Sequence, residues 1–171
     1  MFIERLVVLR GAGEMATALA HRLFNCGFKL LLTDVAHPLS VRKLVSFSEA
    51  ITFGQQTVEG VTAVHISYDF SLQTFEKSRN GLFKEQIQKT WQDNQIPLII
   101  DPGLTLTREL FNDDIEVVID ATINKKNKAQ TNPGLAPLVV GLGPGFNAPN
   151  DVDVIIETNR GHDLGRLIFD V

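Results

Sequence analysis

The stretch from Leu6 to Ala16, which reads LVVLRGAGEMA, constrains the fold more than any other part of this sequence. It joins a short apolar run to an amphipathic pattern through the spacing G-x-G-x-x-A. That spacing is typical of the first strand-turn-helix unit of a nucleotide-binding α/β sheet. In such a unit Gly11 makes the tight turn, Gly13 lets a pyrophosphate approach the backbone, and Ala16 lets the helix pack close to the sheet. The free N–H groups at the start of the helix favour an anionic ligand.

The flanking sequence agrees with this interpretation. A strand over Leu6 to Leu9, a helix over Gly13 to Cys26 and a strand over Phe28 to Thr33 are predicted, and Asp34 follows the second strand. Asp34 lies roughly twenty residues beyond the glycines, where a ribose-binding acid is expected. The predicted cofactor-binding residues of this unit are Gly11, Ala12, Gly13, Glu14, Met15 and Asp34. The alternative is a glycine-rich turn in a similar fold that has lost its nucleotide.

Strand and helix patterns alternate along the remainder of the chain. They predict a single α/β domain over residues 1–171, Rossmann-like, with a mostly parallel doubly wound sheet and helices on both faces. The predicted strands are 61–67, 97–101, 115–120, 138–140 and 152–156, and two of them finish on an aspartate. The predicted helices are 38–44, 105–111 and a long one whose apolar face carries Leu72, Phe75, Leu82, Phe83, Ile87 and Trp91.

Acidic residues follow several of these strands. Asp34, Asp101, Asp120 and Glu157 would meet at the carboxyl edge of a parallel sheet, where open α/β sheets bind ligands. Asp101, Asp120 and Glu157 are weak candidates for a Mg²⁺ site, because Mg²⁺ prefers oxygen ligands. We expect no metal, and each acid is equally suited to capping a neighbouring turn.

Two further polar or glycine-rich segments are candidate site regions. The turn that contains Gly141, Gly143 and Gly145 permits close approach of a cofactor or of another backbone segment. The segment from Glu157 to Arg166 gathers charge around two glycines. Arg160 or Arg166 could clamp a carboxylate or a phosphate, and His162 beside Asp163 could relay a proton. Arg160, His162 and Asp163 are therefore the catalytic candidates, and the alternative is a solvated loop.

Composition excludes several classes of protein. The net charge of -4 and the pI near 5.5 argue against a nucleic-acid binder, which would carry a basic face. No signal peptide and no apolar run of membrane-spanning length are recognised, and the single cysteine, Cys26, cannot form an internal disulfide. These features predict a cytoplasmic protein without membrane contact. They are compatible with a homo-oligomer.

With these motifs in place, the chain resembles the accessory-protein family of the selenium-dependent molybdenum hydroxylase system. The matching stretches are 8–16, 41–50, 57–61, 141–146 and 157–166. The resemblance implies a cytoplasmic role in maturing or supporting a molybdenum hydroxylase, and it reveals no catalytic residue. Members of that family extend well beyond the position of Arg166, so it also implies that this chain corresponds to an N-terminal portion.

Three functions are compatible with the sequence. The first is an accessory protein that binds NAD(P), another nucleotide or a molybdopterin-type cofactor and acts on a molybdenum hydroxylase. The second is an NAD(P)-dependent oxidoreductase, although the only tyrosine is Tyr68 and no Ser, Tyr and Lys set of the short-chain dehydrogenase kind follows the glycine motif. The third is a non-catalytic module that binds a partner.

Overall fold

The computed structural model describes residues 3–68, 76–127 and 130–170, and they form one nine-stranded sheet with helices on both faces. The α/β class and the mostly parallel sheet predicted from the sequence are confirmed. The strands are β1 Ile3–Arg10, β2 Phe28–Asp34, β3 Gln55–Val58, β4 Val61–His65, β5 Ile96–Ile100, β6 Ile115–Asp120, β7 Leu138–Leu142, β8 Val154–Ile156 and β9 Leu167–Ile168. The helices are α1 Glu14–Asn25, α2 Ala50–Phe53, α3 Glu76–Gln92 and α4 Thr105–Phe111.

Strand β1 lies at the point where the chain changes direction across the sheet. The spatial order is β3-β4-β5-β2-β1-β6-β7-β8-β9; β4 through β8 are mutually parallel, and the edge strands β3 and β9 are antiparallel to their neighbours. The chain runs outward from β1 first through β2 and later through β6. Ligands bind open α/β sheets at such a switch point, beyond the carboxyl ends of the strands.

Alternate residues of β1 face two separate apolar layers. Val7 and Leu9 pack in the layer that contains α1, whereas Leu6 and Val8 pack in the layer that contains α3 and α4. All four side chains are at most 3% exposed. Because both faces of the strand are covered, its sequence is continuously apolar rather than alternating.

The structure confirms part of the apolar face that was predicted for helix α3. Phe83, Ile87 and Trp91, spaced one turn apart, are buried, and the indole Nε1 of Trp91 donates to the backbone oxygen of Leu30 at 2.6 Å. Leu82 is 51% exposed, so its assignment to that face is wrong: it is one residue, about 100°, away from the buried row. Leu72 and Phe75 lie outside the described residues.

The helix predicted over residues 38–44 is wrong. Residues 38–42 form a loop, and short 3₁₀ turns follow at Lys43–Val45 and Phe47–Glu49. The side chains of Leu39, Val41 and Leu44 are 100%, 91% and 87% exposed, so a helix there would have no buried face to stabilise it.

Two short edge strands were absent from the sequence prediction. Strand β3 forms a hairpin with β4, and β9, which directly follows the polar segment Glu157 to Arg166, pairs with β8. In the described part of the chain, no helix combines the length and apolar character needed to cross a membrane.

Candidate functional site

The turn after β1 requires glycine at position 11 for reasons internal to the chain. Gly11 has φ +94°, and a Cβ there would lie 3.2 Å from the backbone oxygen of Ala121. Its N–H donates to the backbone oxygen of Thr33 at 2.7 Å. Gly11 therefore brings the ends of β1, β2 and β6 close together.

Gly13, in contrast, has no such internal requirement. Its φ of -68° suits any residue, and the atom nearest to an added Cβ is Ser40 Oγ at 3.8 Å, an ordinary contact. Gly13 occupies the N-cap position of α1 without a side-chain capping bond. A glycine here leaves the start of a twelve-residue helix open toward the carboxyl edge of the sheet.

The acid in the first turn of α1 is turned toward the loop that follows β2. Glu14 Oε1 accepts from the backbone N–H of Arg42 at 2.7 Å, and Arg42 Nε lies 3.3 Å away. The hydrogen bond from the Arg42 backbone is the main reason that the pKa of Glu14 is lowered. The positive charge of Arg42 thus compensates the carboxylate of Glu14, which would otherwise repel an anion at the N-terminus of α1.

Asp34 lies beside the glycine turn, as the sequence predicts. Its Oδ2 accepts from the N–H of Ala12 at 2.8 Å, and its Oδ1 accepts from the N–H of Val35 at 2.7 Å. Burial raises the pKa of Asp34, and these two hydrogen bonds act in the opposite direction. A carboxylate offers about four acceptor sites, so capacity for ligand hydroxyls remains.

Two neighbouring cavities open at this edge of the sheet. The outer cavity, of about 460 Å³, is lined by Gly11, Gly13, Glu14, Met15 and Asp34 together with the loops 35–40 and 121–124. The inner cavity, of about 360 Å³, is lined by Arg10, Thr33, Pro102, Gly103 and Gln130. Gly11, Asp34, Val35, Thr122 and Asn124 line both. Both volumes fall within the range of small-molecule sites.

A polar row crosses three adjacent strands beneath the inner cavity. It consists of Asp120, Arg10 and Thr33. Arg10 pairs with each of the other two in the parallel register, and all three residues are at most 2% exposed. Arg10 Nη1 donates to Thr131 Oγ1 at 2.6 Å and lies 3.5 Å from Asp120 Oδ2, and Nη2 donates to the backbone oxygen of Pro102. Arg10 thereby links the loops that follow β5 and β6.

The buried guanidinium shows opposing electrostatic effects. Burial lowers the pKa of Arg10, while the charges of Asp120 and Asp101 raise it. The two carboxylates compensate the positive charge where water cannot, which is the condition under which a buried arginine is tolerated.

The other predicted acids are occupied by local hydrogen bonds. Asp101 accepts from the N–H groups of Thr105 and Thr107 at the start of α4, at 3.0 and 2.7 Å. Asp120 Oδ1 accepts from the backbone and hydroxyl of Thr122 at 3.1 and 2.6 Å, and Glu157 Oε1 accepts from the N–H of Asn159 at 2.6 Å. Each acid therefore has the capping role that the sequence left open.

These acids do not form a metal-binding group. Across residues 3–68, 76–127 and 130–170, no cluster of three or more His, Cys, Asp or Glu side chains is placed to hold a metal ion. The convergence of Asp101, Asp120 and Glu157 on one metal site is therefore not found.

Contacts within the chain account for the second glycine turn. A Cβ at Gly141 would lie 2.6 Å from the Phe146 ring, and one at Gly143 would lie 2.6 Å from Thr158 Oγ1. A Cβ at Gly145 would meet the backbone of residues 124–126 at 2.6 to 2.7 Å. These glycines line neither cavity, but Gly145 holds the loop that contributes Asn124 to both.

The C-terminal polar segment lies at the surface. Arg160, His162 and Asp163 are exposed and line neither cavity, and Asp163 forms an exposed ion pair with Arg166 at 3.6 Å. Backbone hydrogen bonds between Glu157 and both Gly165 and Arg166 join the two ends of the segment. The structure does not bring these catalytic candidates to the glycine turn.

Among the residues that line the inner cavity, the sequence identified Gly11 and Asp34 but not Arg10, Thr33, Thr122, Asn124 and Gln130. Arg10 and Thr33 stand at the carboxyl ends of apolar strands, and a charged residue at the end of the LVVL run is the one signal that could have identified Arg10. Thr122, Asn124 and Gln130 belong to a polar loop whose composition gives no such indication.

The chain is similar to a protein of Escherichia coli strain K12 with the name Uncharacterized protein YqeB. The two are 38% identical over 166 residues, which cover 97% of this chain and 27% of the E. coli protein. The chain thus spans about a quarter of the length of that relative. No protein-family model matches the chain. No solved structure matches it significantly.

Proposed function

We propose that this chain binds a nucleotide across the turn between β1 and α1, with the diphosphate at the start of α1 and a ribose hydroxyl on Asp34. The observation that carries the proposal is Gly13. The chain's own geometry would accept a larger residue there, yet the position holds a glycine at the uncapped end of α1 and faces the outer cavity. A diphosphate that approaches the backbone would explain why position 13 holds a glycine.

The charges around the outer cavity support an anionic group at the helix and a hydroxyl at Asp34. Glu14 is paired with Arg42, so it does not oppose a phosphate with an uncompensated charge. Asp34 already accepts two backbone N–H groups and can accept further hydrogen bonds from a ribose. The favoured ligand is therefore NAD or a related adenine nucleotide.

A calorimetric titration with NAD tests the proposal, with Gly13→Val as the altered protein. A valine at this position fits the backbone but occupies the space of the diphosphate, so the variant should fold as the wild type does and bind NAD at least tenfold more weakly. Gly81→Ala, a change on α3 with no atom within 4 Å of the added Cβ, is the matched control and should bind normally. Equal affinity in wild type and Gly13→Val, or no binding to wild type, would contradict the proposal.

We further propose that nucleotide binding serves the maturation or support of a molybdenum hydroxylase. This part depends on the resemblance to the accessory family of the selenium-dependent system, which includes the stretches 41–50 and 157–166. The exposed Arg160 and His162 are then available to a partner protein rather than to the nucleotide. The match covers 27% of the E. coli protein, so a role of a protein of that length extends to this chain only as a proposal.

A cellular assay separates the two parts of the proposal. Arg160→Ala combined with His162→Ala should leave NAD affinity unchanged, because neither residue lines the cavities, and should reduce selenium-dependent hydroxylase activity in cells. Normal hydroxylase activity in this folded variant would show that the segment 157–166 has no role in hydroxylase maturation or support. Oxidation of an added substrate with reduction of NAD by the isolated protein would instead favour the oxidoreductase alternative.

A further inference from the structure

The inner cavity contains a buried hydroxyl that lacks a hydrogen-bond partner. Thr33 is 1% exposed, and its Oγ1 has no partner among the described residues. Leu32, the preceding residue of β2, packs in the layer of α1, so the side chain of Thr33 projects on the opposite side, where the inner cavity lies. A buried hydroxyl without a partner is unfavourable, and such groups call for an explanation when they line a cavity.

The charge of the cavity favours a neutral ligand group. The guanidinium of Arg10 is directed to Thr131, Pro102 and Asp120, so its charge is compensated within the protein. Asp34, which lines the same cavity, adds a carboxylate. A phosphate or carboxylate in this space would meet a negative side chain with no uncompensated cation opposite it.

The polar groups of the cavity suit the edge of a nitrogen heterocycle. Asn124 and Gln130 carry amides that both donate and accept, and the Thr33 hydroxyl does the same. Asn124 Nδ2 donates to Thr122 Oγ1 at 3.0 Å, which orients this amide at the wall of both cavities. Gly103, with no side chain, leaves room for a flat ring.

We propose that the inner cavity binds the heteroaromatic ring of the nucleotide, and that Thr33 determines specificity by hydrogen bonding to the edge of that ring. This inference rests on the proposed function. Asp34 lines both cavities. A ribose bound to Asp34 therefore directs the attached phosphate toward α1 and the attached heteroaromatic ring into the inner cavity. The polar row beneath the cavity then places Thr33 against the ring, and Arg10 keeps the surrounding loops in position.

Titrations with ADP and with ribose 5-phosphate test this assignment, because both carry a phosphorylated ribose but only ADP carries the heteroaromatic base. Thr33→Val keeps the shape of the side chain and removes the hydroxyl. It should weaken ADP binding by roughly tenfold, which corresponds to the loss of one hydrogen bond, and leave the affinity for ribose 5-phosphate unchanged. The melting temperature without ligand should stay the same or rise, since the variant removes a buried polar group without a partner.

Ser48→Ala is the matched control. Ser48 is 1% exposed, its Oγ also lacks a partner among the described residues, and it lines neither cavity. This variant should show the same direction of change in melting temperature with unaltered ADP affinity. Thr33→Ser, which keeps the hydroxyl, should restore most of the ADP affinity. If Thr33→Val does not fold, the comparison of Thr33→Ser with Thr33→Ala gives the same contrast.

The outcomes distinguish this inference from the proposed function. Unchanged ADP affinity in Thr33→Val, or an equal loss for ADP and ribose 5-phosphate, would overturn the assignment of Thr33 while nucleotide binding stands. Failure of the wild-type protein to bind NAD, ADP and ribose 5-phosphate would overturn both.

Discussion

The carboxylate of Asp34 accepts a hydrogen bond from the backbone N–H of Ala12 at 2.8 Å, so the acid after β2 and the glycine turn after β1 are joined directly. Ala12 lies between Gly11 and Gly13, and its N–H is already satisfied by this bond. The ribose-binding candidate and the diphosphate-binding candidate form one structural unit. A change in either is expected to affect the other.

The two glycines of the turn should respond differently to alanine. Gly11→Ala should lower the free energy of unfolding by about 1–2 kcal/mol, because a Cβ is disfavoured at φ +94° and would crowd Ala121. Gly13→Ala should change it by no more than about 0.5 kcal/mol, since the backbone and the surrounding space accept a methyl group. Urea denaturation of both variants measures this difference, and equal losses would contradict it.

Asp34 should make stability depend on pH. Burial raises its pKa in the folded state above the ordinary value of 3.8, so the folded protein binds the proton more tightly than the unfolded chain does. The contribution of Asp34 to stability is therefore most favourable at low pH and is lost as the pH rises through the folded-state pKa. The stability of Asp34→Asn, which stays neutral, should rise relative to that of wild type as the pH increases from about 4 through the folded-state pKa of Asp34. Thermal unfolding at several pH values tests this, and a constant difference would refute it.

The same carboxylate should discriminate between NAD and NADP. Like charges about 4 Å apart near a protein surface repel by roughly 4 kcal/mol before screening by salt, so the 2′-phosphate of NADP should be disfavoured beside Asp34. Wild type should bind NAD at least tenfold more tightly than NADP. In Asp34→Asn the ratio of the two dissociation constants should be closer to one. Calorimetry at two salt concentrations provides the measurement, and a preference for NADP in wild type would contradict this role.

The Arg10–Asp120 pair should be strongly coupled in stability. Arg10→Met removes the cation and leaves Asp120 buried without it, which should cost about 3–5 kcal/mol. Adding Asp120→Asn to Arg10→Met should recover part of that loss, because the uncompensated charge is then gone. A double-mutant cycle by urea denaturation measures the coupling. Additive losses would show that the pair acts independently.

The sequence predicted the parts of the fold that follow from local pattern. The continuous apolar runs of β1, β2 and β6 and the G-x-G-x-x-A spacing identify a parallel sheet, its first turn and Asp34, because these signals lie within a few residues of one another. The boundaries of α4, Thr105–Phe111, and of β6 also agree with the structure. The prediction of a helix over residues 38–44 was wrong. A proline at the start and scattered apolar residues do not create a face that the protein can bury.

Only the tertiary structure decided which polar residues share a cavity. The sequence gives no packing reason for Gly11 or Gly13; in the structure, contact with Ala121 explains Gly11, whereas among the described residues no close contact explains Gly13. Arg10, Thr33 and Asp120 are distant along the chain and become neighbours through the parallel register of β2, β1 and β6. Local sequence specifies strands and turns, whereas strand order and register, set by packing over the whole sheet, determine which side chains meet at its edge.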